Sequence, residues 1–236
     1  QGWIEVPYLS CPVDCGAVSS ALGRLTLADG GIVHIVPGLS IEPPDRVPDV
    51  LRGEETQVFG TVRDADTATI ILPGTHSKWV SLVDSVVESF QTYMSGEVFS
   101  LLAEQSVLRH SVALEAWDDA AFLQAVNEAV KHPAGFLNAC FGLRAKGLLH
   151  QADSAKLSAS LSGWVIGCEL ASTKNFWRNH TVAVVGAEAL AKRYREAIQS
   201  LGGVAVCHDP DQTTLAGLRQ IAEELNPVFA QRKKHE

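Results

Sequence analysis

Three short apolar runs, at residues 69–72, 78–83 and 86–94, follow one another with only short polar turns between them. Residues 73–77 separate the first two runs and form a polar segment with a glycine, which is typical of a β-hairpin turn. The third run alternates apolar and polar residues in part and ends where a helical pattern begins. This segment therefore predicts three consecutive strands followed by a helix.

The last third of the chain alternates strand patterns with helix patterns. Short β-branched runs at 182–185 and 204–207 predict strands, and segments 187–201 and 213–225 predict helices. Strands that are joined through a helix favour a parallel β-α-β arrangement. Together with the three-strand unit, this order is that of a ribonuclease-H-like lobe, the building block of actin-like kinases.

Helical periodicity dominates the stretch between these two parts, which we interpret as an insertion at about residues 97–176. Its last helix carries Gly163 and Gly167 one turn apart, which predicts close packing against a neighbouring element. We expect that element to be a sheet.

The first quarter of the chain is less regular. Residues 31–38 predict a buried strand that ends at Pro-Gly, and residues 49–60 predict a loop that enters a short helix. The polar residues 63–67 predict a domain boundary. On this basis we divide the chain into residues 1–66 and residues 67–236.

Composition narrows the functional class. Hydrophobic residues make up 46% of the chain, and the formal net charge is −8. The negative charge argues against a sequence-independent nucleic-acid binder, which needs a basic surface. No apolar run approaches the ~20 residues of a membrane span, and no signal segment opens the chain, so we expect a cytoplasmic protein. The five scattered cysteines lack paired metal-ligand spacing, so we expect no metal site made by side chains.

The predicted hairpin turn has the composition of a phosphate-binding loop. Gly74 allows backbone N–H groups to turn toward an anion, Thr75 and Ser77 offer hydroxyl donors, and Lys78 offers a positive charge. An ordinary solvated turn would have a similar composition, and that alternative stays open at this point.

Two further segments could carry chemistry. Glu54 and Glu55 follow Arg52, a combination that could hold a polar substrate and accept a hydroxyl proton. The alternative is a helix start whose acidic residues complement the helix dipole. Gly186 and Ala187 lie between a strand and a helix, where a nucleotide could approach the backbone, although tight packing would demand the same small residues.

Taken together, residues 52–57, 72–80 and 90–97 resemble, in order and spacing, the three marker segments of the 2-dehydro-3-deoxygalactonokinase family of actin-like ATPases. The resemblance implies transfer of phosphate from ATP, with Mg²⁺, to the 6-hydroxyl of 2-dehydro-3-deoxy-D-galactonate in galactonate or galactose catabolism. It implies an α/β protein of two ribonuclease-H-like lobes with the active site in the cleft.

The resemblance also implies roles for individual residues. The ATP phosphates and the nucleotide would be bound by Gly74, Thr75, His76, Ser77, Lys78, Gly186 and Ala187. The sugar acid would be bound by Arg52, Glu54 and Glu55, and the choice of catalytic base between the two glutamates stays open.

The family also has an N-terminal phosphate loop of the aspartate, glycine, threonine, asparagine type. Nothing before Gln1 supplies this loop, so we expect a first lobe that is incomplete at its N-terminus. Two alternative functions follow. One is a kinase of another sugar or sugar acid in the same superfamily, and the other is a non-catalytic nucleotide- or sugar-binding module. The oligomeric state stays open, with a homodimer as one alternative.

Overall fold

The computed structural model describes residues 5–61, 67–113 and 117–225, and these form a mixed α/β protein. The described chain divides into two compact units. The first unit contains the residues up to 72, residues 78–92 and those from 208 onward. The second contains residues 73–77 and 93–207. The division at 1–66 and 67–236 stays a prediction, since residues 63–66 of the predicted boundary lie outside the described residues.

The elements are numbered here in chain order. The strands are β1 (Leu9–Ser10), β2 (Gly23–Thr26), β3 (Ile32–Ile35), β4 (Leu39–Ile41), β5 (Asp49–Leu51), β6 (Thr67–Leu72), β7 (Ser77–Val83), β8 (Val86–Tyr93), β9 (Thr181–Val185) and β10 (Val204–His208). The α-helices are α1 (Cys15–Ser20), α2 (Glu54–Thr61), α3 (Ser95–Ser100), α4 (Asp119–Lys131), α5 (Phe136–His150), α6 (Ser154–Ser172), α7 (Lys174–Trp177), α8 (Glu188–Ser200) and α9 (Pro210–Leu225).

The predicted hairpin and third strand are confirmed in the first unit. β6 and β7 pair antiparallel, with Ile71 opposite Trp79, and both of these side chains are buried. Asp84 and Ser85 join β7 to β8 with φ angles of 51° and 63°. Two consecutive residues with positive φ form the type of tight turn that matches the twist of a hairpin.

The remaining strands of the first unit form two small sheets. β1 pairs parallel with β4, and β4 pairs antiparallel with β5. Residues 49–51, predicted as a loop, are therefore a strand that leads into α2. β2 and β3 form an antiparallel pair. The prediction of a buried strand at 31–38 is wrong in its burial, because Ile32 and Val33 are exposed on this small two-stranded sheet.

The second unit contains the helices of the predicted insertion and the predicted helix at 187–201, whereas the helix predicted at 213–225 is α9 of the first unit. α6 packs along α4 at the two glycines singled out in the sequence. A Cβ atom on Gly167 would lie 2.8 Å from the Val126 carbonyl oxygen, and one on Gly163 would collide with the Phe122 carbonyl oxygen. Close packing is confirmed, but the neighbour is a helix and not the expected sheet, because the two glycines face the backbone of α4.

The end of the second unit follows the predicted order. β9 and β10 are neighbours in a sheet, and α8 connects them. A connection through a helix is what parallel neighbours require. Throughout the described residues, every helix is too short or too polar to cross a membrane.

We predict that Gly163→Ala destabilises the protein, because the added methyl group must push α6 away from α4. Overpacking of this kind costs about 1–3 kcal/mol, and urea denaturation measures the free energy of unfolding. Gly142→Ala on α5 is the matched control, since a Cβ there meets nothing within 4 Å. A helix glycine with open space should gain up to ~1 kcal/mol from the same change. Equal effects of the two substitutions would contradict the packing argument.

Candidate active site

The loop of residues 73–77 continues directly from β6 and ends in β7. Thr75 and His76 are exposed, Gly74 is half-buried, and Ser77 is fully buried. Among the hydrogen bonds of the described residues, none uses the backbone N–H of Gly74, Thr75 or His76. The loop therefore has three consecutive backbone donors without an acceptor among the described residues, and an anion could accept hydrogen bonds from them.

The first residues of α3 hold this loop in place. The Glu97 backbone N–H donates to the Thr75 carbonyl oxygen at 2.9 Å, and the Glu97 carboxylate lies 2.7 Å from His76 Nε2. Gly96 packs so closely that a Cβ on it would lie 2.8 Å from the Thr75 Cα atom. Only glycine permits this approach, so the loop conformation depends on a residue outside the loop.

A chain of polar side chains begins at the last residue of the loop, Ser77. The buried Ser77 hydroxyl is 2.9 Å from the Tyr194 hydroxyl, which donates to Glu169 Oε2 at 2.8 Å. Ser95 donates to the same carboxylate oxygen. Glu169, Tyr194 and Ser95 are not among the candidate residues selected from the sequence. Ser95 lies within the 90–97 marker segment and Tyr194 within the predicted helix at 187–201, but their contacts join positions far apart in the chain.

Gly186 lies against the start of the loop. A Cβ on Gly186 would lie 3.1 Å from the Pro73 carbonyl oxygen and 3.3 Å from the Pro73 ring. Ala187 follows and is exposed. The turn between β9 and α8 is therefore a direct neighbour of the 73–77 loop, and two of the segments selected from the sequence come together in the second unit.

The third selected segment forms the start of α2 in the first unit. Its two glutamates fold back onto the backbone before the helix: Glu54 accepts from the Arg52 N–H at 3.0 Å, and Glu55 accepts from the Gly53 N–H at 2.6 Å. Gly53 has a φ of 99°, which a residue with a side chain rarely adopts. These hydrogen bonds are typical of a helix start. Glu54 and Glu55 also lie in the first turn of α2, which is the arrangement that the alternative interpretation of the acidic pair describes.

Two cations accompany this acidic pair. Lys78 Nζ lies 2.6 Å from Glu54 Oε1, and both side chains are largely shielded from solvent. The Arg52 guanidinium donates to the Val6 carbonyl oxygen at 2.8 Å and stacks over the Tyr8 ring. Lys78, selected from the sequence with the phosphate loop, is therefore the ion-pair partner of a predicted substrate-side residue.

Glu55 lies in an environment that disfavours the charged form of its carboxyl group. Its side chain is 1% exposed, and burial raises the pKa of its carboxyl group to about 7, although hydrogen bonds from backbone N–H groups oppose the shift. The nearby negative charge of Glu54 adds to the increase. A carboxyl group with a pKa near neutrality can exchange a proton at physiological pH, which a solvated glutamate does poorly.

Metal ligands are not gathered in one place. Within residues 5–61, 67–113 and 117–225, no group of at least three His, Cys, Asp or Glu side chains could hold a metal ion.

Comparison with known proteins identifies the family. A family model described as 2-keto-3-deoxy-galactonokinase matches residues 1–221. The chain belongs to this family. This result confirms the resemblance found in the sequence, and it makes the chain a sugar-acid kinase, that is, a phosphotransferase.

Individual relatives agree with the family model. A "Probable 2-dehydro-3-deoxygalactonokinase" of Rhizobium meliloti is 37% identical over 234 residues, which cover 97% of this chain and 76% of the relative. The 2-dehydro-3-deoxygalactonokinase of Escherichia coli is 32% identical over 222 residues, which cover 94% of this chain and 74% of the relative. A crystal structure of a proposed 2-dehydro-3-deoxygalactonokinase from Sinorhizobium meliloti has a TM-score of 0.88 at 36% identity, and the match covers 96% of this chain and 76% of that one.

We predict that Glu55 makes the kinase less stable as the pH rises from about 4.5 to about 7. Its carboxyl group keeps its proton up to about pH 7 when folded but only to about pH 4.5 when unfolded. Between these values the folded state binds more protons, so the free energy of unfolding falls with pH. Relative to Glu55→Gln, the free energy of unfolding of the wild type should fall by on the order of 3 kcal/mol as the pH rises across this window.

Urea denaturation at a series of pH values measures this difference, and groups common to both proteins cancel in the comparison. Glu42→Gln, at an exposed position of the same unit, is the control for the loss of one carboxyl group. A wild-type and Glu55→Gln difference that is constant with pH would contradict the assigned environment of Glu55.

Proposed function

We propose that this kinase transfers the γ-phosphoryl group of MgATP to the 6-hydroxyl of 2-dehydro-3-deoxy-D-galactonate, with the 73–77 loop as the phosphate-binding element. The observation that carries the proposal is the exposed loop, whose Gly74, Thr75 and His76 N–H groups are without acceptors among the described residues. The relatives named 2-dehydro-3-deoxygalactonokinase supply the substrate.

The nucleotide is assigned to residues of the second unit. The N–H groups of Gly74, Thr75 and His76 and the Thr75 hydroxyl face the phosphates in this proposal. A Cβ on Gly74 would meet nothing within 4 Å, so the space beside the loop is open to a ligand. Gly186 and Ala187, which adjoin the loop at Pro73, would approach the nucleotide where a larger residue would obstruct it.

Magnesium belongs to the nucleotide in this proposal. Mg²⁺ is commonly held by substrate phosphates, water and one or two carboxylates, and not by a cage of protein ligands. The lack of a three-ligand cluster within the described residues fits that mode of binding. The cation would neutralise charge on the phosphates during transfer.

The sugar acid is assigned to residues of the first unit, with Glu55 as the catalytic base. A carboxyl group with a pKa of about 7 is matched to accepting the proton of the attacking hydroxyl at neutral pH. Glu54, whose carboxylate is held by Lys78 and the Arg52 N–H, would bind substrate hydroxyls. Arg52 uses one guanidinium donor on Val6 and keeps others for the substrate carboxylate.

Other aspects of the protein are proposed on the same basis. The two-lobe layout of actin-like kinases is proposed because membership of the kinase family implies it. A cytoplasmic location is supported by the need for MgATP. A homodimer stays a prediction from the sequence.

We predict that the purified enzyme releases ADP with 2-dehydro-3-deoxy-D-galactonate, and that Glu55→Gln lowers kcat by about 10²–10⁴-fold while the affinity for ATP changes little. An amide cannot accept the hydroxyl proton but preserves the shape of the side chain. A coupled ADP-release assay with a panel of 2-keto-3-deoxy sugar acids measures both points.

Two results would contradict these assignments. Faster turnover with another sugar acid would show that the proposed substrate is wrong. Measurable ATP binding without ADP release on any sugar acid would favour a non-catalytic binding module. If Glu55→Gln keeps the wild-type kcat and Glu54→Gln loses it, the catalytic base would be Glu54.

We predict that Thr75→Val raises the KM for ATP by about 10-fold, because the hydroxyl is replaced by a methyl group of the same shape and one hydrogen bond to a charged phosphate is lost. Thr75→Ser is the matched control and should stay close to the wild type, since it keeps the hydroxyl. Initial rates at varied ATP measure the effect. Unchanged ATP kinetics in Thr75→Val would count against the loop as the phosphate-binding element.

A further inference from the structure

A buried chain of hydrogen bonds lies behind the 73–77 loop, and no step of the proposed reaction uses it. Glu169 on α6 is 2% exposed, and Tyr194 on α8 is 1% exposed. Tyr194 donates to Glu169 Oε2 at 2.8 Å, and the Ser77 hydroxyl lies 2.9 Å from the Tyr194 oxygen. Because Ser77 is the last residue of the loop, this chain connects the loop to two long helices of the same unit.

The direction of the bonds in this chain follows from the number of protons. Burial, together with the charge of Glu169, raises the pKa of Tyr194 well above its usual value, so the phenol keeps its one proton and donates it to Glu169. The bond between Ser77 and Tyr194 must therefore use the proton of Ser77. The Ser77 hydroxyl has no second proton for a phosphate, so it serves as an anchor and not as a ligand.

A second arm leads from the same carboxylate to the other side of the loop. Ser95 donates to Glu169 Oε2 and is the first residue of α3. The next two residues, Gly96 and Glu97, make the close contact with Thr75 and the hydrogen bond to its carbonyl oxygen. Glu169 thus holds the loop at its end through Tyr194 and at its middle through Ser95.

The loop needs such an anchor because there is space behind it. A small cavity in the second unit is lined by Gly74, Ser95, Gly96, Phe99 and Tyr194, among other residues. Packing leaves the space beside Gly74 unfilled, so the hydrogen bonds that lead to the buried Glu169 carboxylate take a larger share in holding the loop.

We propose that Glu169 and Tyr194 are positioning residues that hold the 73–77 loop in the conformation in which it binds the phosphates of ATP. The proposal rests on the proposed role of that loop. Its consequence is kinetic, because a displacement of about 1 Å in a positioning element can lower the rate on the order of 100-fold.

The test uses Tyr194→Phe, which removes the hydroxyl and preserves the ring. We expect kcat/KM for ATP to fall by about 10- to 100-fold, while the KM for the sugar acid at saturating ATP changes less than about twofold. The matched control is Thr173→Val. Thr173, the residue after α6, is fully buried, and its hydroxyl donates to the Glu169 backbone carbonyl oxygen at 2.9 Å and not to the Glu169 carboxylate. A loss of stability alone would affect both variants alike and would leave the KM for ATP unchanged.

Two further variants test the connection itself. Ser77→Ala should reproduce the effect of Tyr194→Phe, and the double variant should be no worse than either single variant, because both remove the same chain. Losses that multiply in the double variant would show that the two residues act separately and would overturn the proposal. Ser95→Ala, which removes the second arm, should raise the KM for ATP in the same direction.

The outcomes separate this proposal from the proposed function. If Thr75→Val raises the KM for ATP but Tyr194→Phe behaves like Thr173→Val, the loop binds ATP and the positioning role is overturned. If neither Thr75→Val nor Tyr194→Phe alters ATP kinetics, the loop does not bind the nucleotide, and both proposals are overturned together.

Discussion

The antiparallel pairing of β6 with β7 is the interaction on which the arrangement of the candidate site depends. It places Leu72 opposite Lys78, so residues 73–77 between them must form a tight loop. Within the second unit the Ser77 hydroxyl lies 2.9 Å from the Tyr194 hydroxyl, and within the first unit Lys78 Nζ lies 2.6 Å from Glu54 Oε1.

The two buried glutamates Glu169 and Glu55 differ in the hydrogen bonds that their carboxyl groups accept. Glu169 accepts hydrogen bonds from Tyr194 and Ser95, and such donors stabilise a buried carboxylate. At Glu55, burial outweighs the bond from the Gly53 N–H, and the pKa rises to about 7. An anchoring role suits a carboxylate that is well supplied with donors, whereas exchange of a proton suits one whose charge is disfavoured.

Much of the local structure could be predicted from the sequence. The hairpin, the third strand, and the strands and helices of the last third all follow patterns of apolar spacing and turn residues that act over a few positions. The errors at β3 and α6 have another origin, because burial depends on which element comes to lie alongside. Nothing within residues 31–38 shows that β3 pairs with β2 in a small two-stranded sheet, and nothing near Gly163 shows that α4 is its neighbour.

The sequence by itself determined the family, through three short marker segments whose order and spacing are specific, and it selected a loop and an acidic pair as the candidate site. Only the tertiary structure decided what these residues contact. Ser77 and Tyr194 are 117 positions apart, and Ser95 and Glu169 are 74 apart. Hydrogen bonds over such separations arise from the packing of helices and leave no periodic pattern along the chain. For the same reason the environment that raises the pKa of Glu55, and the pairing of Lys78 with Glu54, could be read only from the folded protein.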